Sequence, residues 1–375
     1  MTHEEYRAAI EDVIYLASCA VKGEAPDKTR VAGMDLKRLY SAADRHLLTG
    51  VTACALESAG IYDHAFSQAK AKAIRKILLF DSERTAVLRE LDKAGIWYVP
   101  LKGSVLKEYY PAIGMRQMAD NDILCDAARS RDIRAIMEHL GFKTVQDCHN
   151  QYGHDSYDKE PVCHFEMHRS LFDPSRGALY DYYLNVKERL VKDEGNSCGY
   201  HFRDEDFYLY MIAHEYKHYS VCGTGIRSLL DTFVFLRYFD GRLDTDYIGR
   251  ELEKLQLTDF EKQNRNLALH LFGGKSLTEA DREMLDYILS SGTYGTTENR
   301  LRNNMKKYGE GRLGKLRYVY HRLILPIDTV KSAFPLFWKV PILLPFLPLY
   351  RCCRGLLTNR SAIILEYKML RKNFK

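Results

Sequence analysis

The sequence predicts an α+β protein, a small mixed sheet embedded in a largely helical chain. Three observations predict it. Apolar residues recur at three- and four-residue spacing from the N-terminus to about residue 94, and again from about 178 onward, which is the period of a helix. Between these stretches lie short apolar or alternating runs at 96–101, 121–125, 142–145 and 162–168, the signature of strands. Glycine and proline separate these runs, at Pro100, Gly103, Pro111, Gly114 and Gly141, where they mark turns.

The elements follow in order. Ile10, Val13, Ile14, Ala17 and Val21 share one helical face, and 78–91 continues the pattern until Gly95 stops it. Ile96-Trp97-Tyr98-Val99-Pro100-Leu101 is a short β run. Gly103-Ser104 turns the chain into a short helix from Val105 to Tyr109, and a loop with Pro111 and Gly114 carries Arg116. Asn121 to Cys125 is the next strand, Asp132 to Leu140 an amphipathic helix closed by Gly141, and Phe142 to Val145 a further strand. Residues 146–161 are polar and rich in His, Tyr and Asp, so they are expected to form a hairpin connection. In 162–168, Val162, His164, Glu166 and His168 fall on one strand face, Cys163, Phe165 and Met167 on the other. Helices are then expected at 204–219, 226–239, 246–255, 259–272 and 278–289. The expected organisation is a helical region at 1–94, an α/β core at 95–175, a helical domain at 176–325 and a basic, proline-broken apolar segment at 326–375.

Composition narrows the function classes. The chain has 375 residues, 46% hydrophobic and 28% charged, ordinary for a globular enzyme-sized protein. Nine scattered cysteines with no C-x-x-C pair suit free thiols in a reducing compartment. No basic stretch followed by an apolar core opens the chain, so a secretory signal is not expected and a cytoplasmic location is. Residues 297–375 hold 17 Lys/Arg against 4 Asp/Glu, a net of +13, which leaves −8 on the first 296 residues of a chain whose net charge is +5. A basic tail beside an acidic body attracts phosphate, nucleic acid or an anionic membrane face, or else matches charge within the chain.

The chemistry concentrates around Asp120 and Asp122. In a strand, the period of two places both carboxylates on one face, where they repel unless a cation joins them. Upstream, Leu101-Lys102-Gly103-Ser104 is a small-residue turn after an apolar strand; downstream, Glu166 stands between Phe165 and Met167. A turn, an acid pair and a later isolated acid outline a two-metal nucleotidyl-transfer site. Asp120, Asp122 and Glu166 are the expected catalytic and metal residues, for two Mg²⁺ ions or Mn²⁺ in their place. Gly103 and Ser104 are expected to cradle the triphosphate, with Lys102 or Arg116 neutralising it.

These residues carry a resemblance. Leu101-Lys-Gly-Ser, Arg116, Asp120-Asn-Asp-Ile-Leu, Gly141-Phe142 and Phe165-Glu-Met-His168 resemble the uncharacterised bacterial nucleotidyltransferases of the DNA polymerase beta-like superfamily. His214-Glu-Tyr-Lys-His218 with Leu229-Leu230-Asp231, and the tail ending in Arg351 to Arg354, are similar to that family's later segments. The resemblance spans about 95–355. It implies a nucleotidyltransferase core that moves an NMP from an NTP to a hydroxyl acceptor, with His168 as a partner of Glu166. The sequence departs from the superfamily pattern in the longer gap between Ser104 and Asp120 and in Asn121, which stands where an apolar residue is usual.

Other motifs compete. His214-Glu215-Tyr216-Lys217-His218 matches H-E-x-x-H, a zinc-hydrolase signature, but Lys217 sets a cation beside the would-be metal. His149, His154, His164 and His168 form a cluster that suits zinc, phosphate orientation or plain hydrogen bonding in a polar sheet face. Basic residues from Lys306 to Arg322 interleave with Tyr308, Tyr318 and Tyr320, which suits RNA or a solvated helix face. Residues 333–350 are apolar but hold four prolines and Lys339, so a membrane span is not expected; the alternatives are a packed segment or a peripheral membrane contact. The second reading of the whole chain is a nucleotide-binding regulator or partner protein, of polysaccharide-assembly or toxin–antitoxin type.

Overall fold

The computed structural model describes residues 1–147, 152–195, 198–293, 295–309, 311–325, 327–358 and 360–372. The fold is α+β, and it divides into two compact units: residues 1–217 with 225–289, and residues 218–224 with 290–375.

The first unit begins with five helices: α1 His3–Lys22, α2 Lys28–Ala32, α3 Leu36–Arg45, α4 Thr49–Ser58 and α5 His64–Lys93. Local chemistry sets their ends. Thr2 and Glu5 form a capping box, and Asp27, Asp35 and Asp63 cap α2, α3 and α5, each satisfying backbone N–H groups that have no partner inside the helix. Gly95 has φ +66 just past α5, a left-handed position that costs glycine little.

The sheet follows: β1 Tyr98–Pro100, the one-turn helix α6 Gly103–Leu106, β2 Asn121–Cys125, α7 Ser130–His139, β3 Lys143–Gln146, β4 His154–Lys159 and β5 Cys163–His168. The strand order is β1-β2-β5-β4-β3, with β2 and β5 parallel and the other neighbours antiparallel. One face is apolar: Ile123, Phe165 and Met167 pack with Ile77, Phe80 and Val87 of α5 and Ile133 of α7. The opposite face carries Asp122, Glu166 and His168.

The region expected as a polar hairpin connection contains the inner strand β4. Its Asp155, Ser156 and Tyr157 are buried, and Asp155 accepts a 2.7 Å hydrogen bond from Arg169. Polar residues on both faces hid the alternation that identifies a strand. His149 lies outside the described residues.

After α8 Ala178–Tyr183 and the small ribbon β6 Leu190–Lys192 with β7 Tyr200–Phe202 come five helices: α9 Asp204–Tyr219, α10 Ile226–Tyr238, α11 Thr245–Leu255, α12 Thr258–Gly273 and α13 Glu279–Ser291. They fall where the apolar spacing placed them. Phe207, Leu209 and Ile212 of α9 and Phe235 of α10 build a second core with Val99, Leu101 and Leu124 of the sheet.

The second unit is helical, with α14 Thr297–Lys306, α15 Gly311–Leu323, α16 Ile327–Ala333, α17 Pro335–Lys339, α18 Leu347–Thr358 and α19 Arg360–Lys372. Arg322 and Tyr318 of α15 meet Glu366 of α19. Leu336, Trp338, Ile342, Phe346 and Leu349 are exposed, and Leu347 is buried. Among the described residues, no helix is long and apolar enough to cross a membrane.

Candidate functional site

The acids meet because β2 and β5 run side by side. Asp122 is the register partner of Glu166, and on the next strand Ser156 partners Glu166 while His154 partners His168. Asp120 lies just before β2, and the loop leading to it is held from several sides. Lys76 Nζ donates to the Ala119 carbonyl at 2.9 Å, Arg227 to the Gln117 carbonyl at 3.1 Å, and the Gln117 side chain accepts from Thr49 and Gly50.

Asn121, between the acids, faces α5 rather than the site. It is fully buried, accepts a 3.0 Å hydrogen bond from Arg84 and donates to the Phe80 carbonyl. It thus ties β2 to α5, and its polarity is satisfied there.

The turn after β1 brings Lys102 over the acids. Lys102 has φ +49, a backbone conformation that costs a non-glycine residue about 1–3 kcal/mol. Its Nζ lies 2.8 Å from Asp122 Oδ1. His168 Nε2 lies 2.8 Å from the same oxygen and 3.3 Å from Glu166 Oε2. Burial opposes ionisation of Asp122, but the Lys102 charge and then the His168 hydrogen bond outweigh it and hold this carboxyl well below its usual range. Burial, followed by the negative charge of Asp122, raises Asp120. Burial works against Lys102, yet Asp122 and Asp120 keep its amine raised. Burial also opposes the charge on Glu166, but the His168 hydrogen bond leaves it lowered.

Gly103 and Ser104 are buried and open α6. The Ser104 hydroxyl donates to the Leu101 carbonyl at 2.8 Å. A Cβ on Gly103 would sit 2.5 Å from Arg116 Nη1 and 2.8 Å from Met118 Sδ, so a larger residue here would have to displace those side chains. Arg116, expected near the phosphates, is buried and turned to α10. Its Nε and Nη2 hold the two oxygens of Asp231 at 2.8 and 2.9 Å, and Tyr110 donates to Asp231 at 2.7 Å.

Lys217 is the residue that sequence reasoning read only as an obstacle to zinc. It stands on α9, and its charge is felt alongside Lys102, Arg176, Asp173 and Asp122; burial, then the cations Lys102 and Arg176, lower its amine to about 8. Its Nζ lies 5.8 Å from the Phe172 ring centroid. The available signal was a lysine shortly after the apolar run from Phe207 to Ala213 of the same helix.

Asp120, Asp122 and Glu166 are oxygen donors, the type a hard divalent cation takes, but Asp120 and Asp122 do not fall in a group of three whose donor atoms lie within 4.8 Å of one another. Among the described residues, the group of three His, Cys, Asp or Glu placed to share one ion is His154, Glu166 and His168.

The family described as uncharacterised nucleotidyltransferase matches residues 32–273. The chain belongs to this family. For this nucleotidyltransferase-family member, no curated protein and no solved structure gives a significant match. The match begins in α2 and ends with α12, so it starts well before the expected 95 and stops well short of 355. It contains the sheet, all the acids, Lys102, Arg116, Lys217 and Asp231.

The H-E-x-x-H segment takes another path in this family member. His214 and His218 are not in the metal-capable group, and Glu215 is buried. Burial pushes the Glu215 carboxyl from 4.5 up to about 7. A raised acid stabilises the fold below its unfolded pKa, and that contribution is lost as pH rises through about 7. Glu215→Gln should therefore be more stable than the natural chain at pH 8, by about 2–3 kcal/mol, with the gap closing near pH 4.5. Urea unfolding at both pH values measures it.

Proposed function

We propose that the chain transfers an NMP from an NTP to a hydroxyl acceptor. The observation that carries this reading is the pairing of Asp122 with Glu166 across two parallel strands, with the Lys102 amine over them. Asp120, Asp122 and Glu166 would hold magnesium, or manganese. When bound, the metal neutralises the triphosphate and lowers the pKa of the attacking hydroxyl.

The chain's own residues do the rest. His168 orients Asp122 and Glu166 through its hydrogen bonds. Lys102 moves from Asp122 to an oxygen of the β- or γ-phosphate, with the N–H groups of Gly103 and Ser104 beside it. Lys217 and Arg176 add positive charge on the triphosphate side. The acceptor oxygen bonds to the α-phosphorus as the bond to the bridging oxygen breaks, and pyrophosphate leaves. Arg116 holds the loop before Asp120 in place through Asp231.

Incubation with each labelled NTP and a cell extract tests the reading; labelled product that survives Asp122→Ala would overturn it. The regulator reading drew on Asn121 and on the long gap between Ser104 and Asp120, and Asn121 is hydrogen-bonded to Arg84 and the Phe80 carbonyl on the far face of the sheet.

Lys217 supplies a pH signature. Its amine carries charge below about pH 8 and loses it above. Triphosphate affinity should be full below that pH and fall about 10-fold or more as pH rises past it, the scale of a hydrogen bond to a charged group. Lys102 keeps its charge there because Asp122 and Asp120 raise it. In Lys217→Met the affinity should be lower and nearly flat from pH 7 to 9.5. Calorimetric titration with a non-hydrolysable NTP reads both curves.

A further inference from the structure

We propose that His154, Glu166 and His168 form a binding site for a borderline transition-metal ion of the Zn²⁺ or Co²⁺ class, separate in preference from the acid pair. The proposal goes beyond nucleotidyl transfer and does not depend on it; Glu166 and His168 are the residues the two share.

The geometry comes from the sheet. His154 and His168 are direct cross-strand partners on β4 and β5, with ring centroids 4.9 Å apart. Glu166 is two residues before His168, so it projects from the same face. One donor atom from each of the three lies within 4.8 Å of the others. Glu166 Oε2 is 3.3 Å from His168 Nε2, and Glu166 Oε1 is 3.6 Å from His154 Nε2. Ligands about 2.0–2.1 Å from a tetrahedral Zn²⁺ stand roughly 3.3–3.4 Å from each other. The two short separations fall on different oxygens of Glu166, and one donor from each residue lies within 4.8 Å of the others, so the three side chains draw closer together as an ion enters.

The donor types decide the class of ion. Two imidazoles and one carboxylate suit zinc, cobalt, iron or nickel. Mg²⁺ prefers an octahedral shell of oxygens and keeps several waters. His168 would exchange its bond to Asp122 for the ion, and Asp122 would retain Lys102 at 2.8 Å.

A further histidine stands ready at the rim. His164 Nδ1 is held by Asp158 at 2.5 Å, and its Nε2 lies 3.8 Å from Glu166 Oε1. A carboxylate behind an imidazole fixes the ring and raises its basicity, as around protein-bound metals. His154 and His164 are both about one-third exposed, which leaves an entry path.

The test is a Co²⁺ titration of the full chain after chelation, read by visible absorption, with Zn²⁺ and Mg²⁺ as competitors. The natural chain should bind one equivalent, displaced by Zn²⁺ and not by millimolar Mg²⁺. His154→Ala and His168→Ala should each weaken binding at least 10-fold, and His154→Cys should restore a coloured site. Circular dichroism confirms that each variant is folded, and partly exposed His154 is the variant expected to tolerate change best. No binding by the natural chain, binding unchanged in folded His154→Ala, displacement by Mg²⁺, or loss of binding in Asp120→Asn would each overturn the proposal. Labelled-nucleotide transfer in magnesium is measured separately on the natural chain. Its failure would remove the nucleotidyl-transfer reading and leave the transition-metal site standing.

Discussion

Asp122→Asn should reduce transfer of labelled nucleotide at least ~10²-fold, the scale lost when one charge-stabilising group leaves a catalytic site. The substitution keeps the shape of the side chain and removes its charge. Asp122 is the hub of the site: it pairs with Lys102, accepts from His168 and stands opposite Glu166. With an amide there, Lys102 loses its main counter-charge and the acids lose one full negative charge toward a cation. The variant also separates chemistry from folding. Asp122 is 2% exposed, so Asp122→Asn should lower stability too, because the half-buried Lys102 loses its hydrogen-bonded carboxylate and keeps only the more distant charges of Asp120 and Glu166. Nucleotide transfer at 25 °C, with folded fraction followed by circular dichroism, distinguishes lost chemistry from lost protein. Transfer within threefold of the natural chain would remove Asp122 from the mechanism.

Arg116→Ala should destabilise the first unit by roughly 3–5 kcal/mol, the range seen when one partner of a buried ion pair is removed. Asp231 would lose both guanidinium hydrogen bonds and keep only Tyr110. Gly103 and Met118 would lose the group packed between them. Arg116→Lys should recover part of the loss, since an ammonium cannot hold both carboxylate oxygens as a guanidinium does. Chemical unfolding measures both variants. A phosphate ligand would behave in the opposite way: affinity for NTP would drop and the unfolding midpoint would stay. That result would return Arg116 to the role its position in the sequence suggested.

The contrast between these residues shows what could be read in advance. Asp120, Asp122 and Glu166 could be singled out in the sequence because their signal is local, and the structure sets Asp122 beside Glu166. An acid pair at strand spacing and an acid between two apolar residues need no knowledge of distant chain. The helices were legible for the same reason, as apolar spacing and caps act within one or two turns. Arg116 was not, because its partner Asp231 is 115 residues away. Strand β4 was missed because its polar residues are satisfied by burial partners such as Arg169, and alternation of polarity was the only cue in use. Lys217 was read only as an argument against zinc, because only the packing of α9 shows which groups its amine faces.

By itself, the sequence placed the helices α9 to α13, the strand that carries Asp122 and the family to which residues 32–273 belong. These depend on residue type and near-neighbour spacing. Only the tertiary structure decided which cation meets which carboxylate. It set Lys102 and His168 on one oxygen of Asp122, sent Arg116 to Asp231, turned Asn121 to α5, and brought His154 beside Glu166 and His168. The physical reason is that charge pairing and ligand spacing depend on distances of a few ångströms between groups far apart in the chain. Those distances are set by the parallel pairing of β2 with β5 and by the burial of the apolar face beneath them.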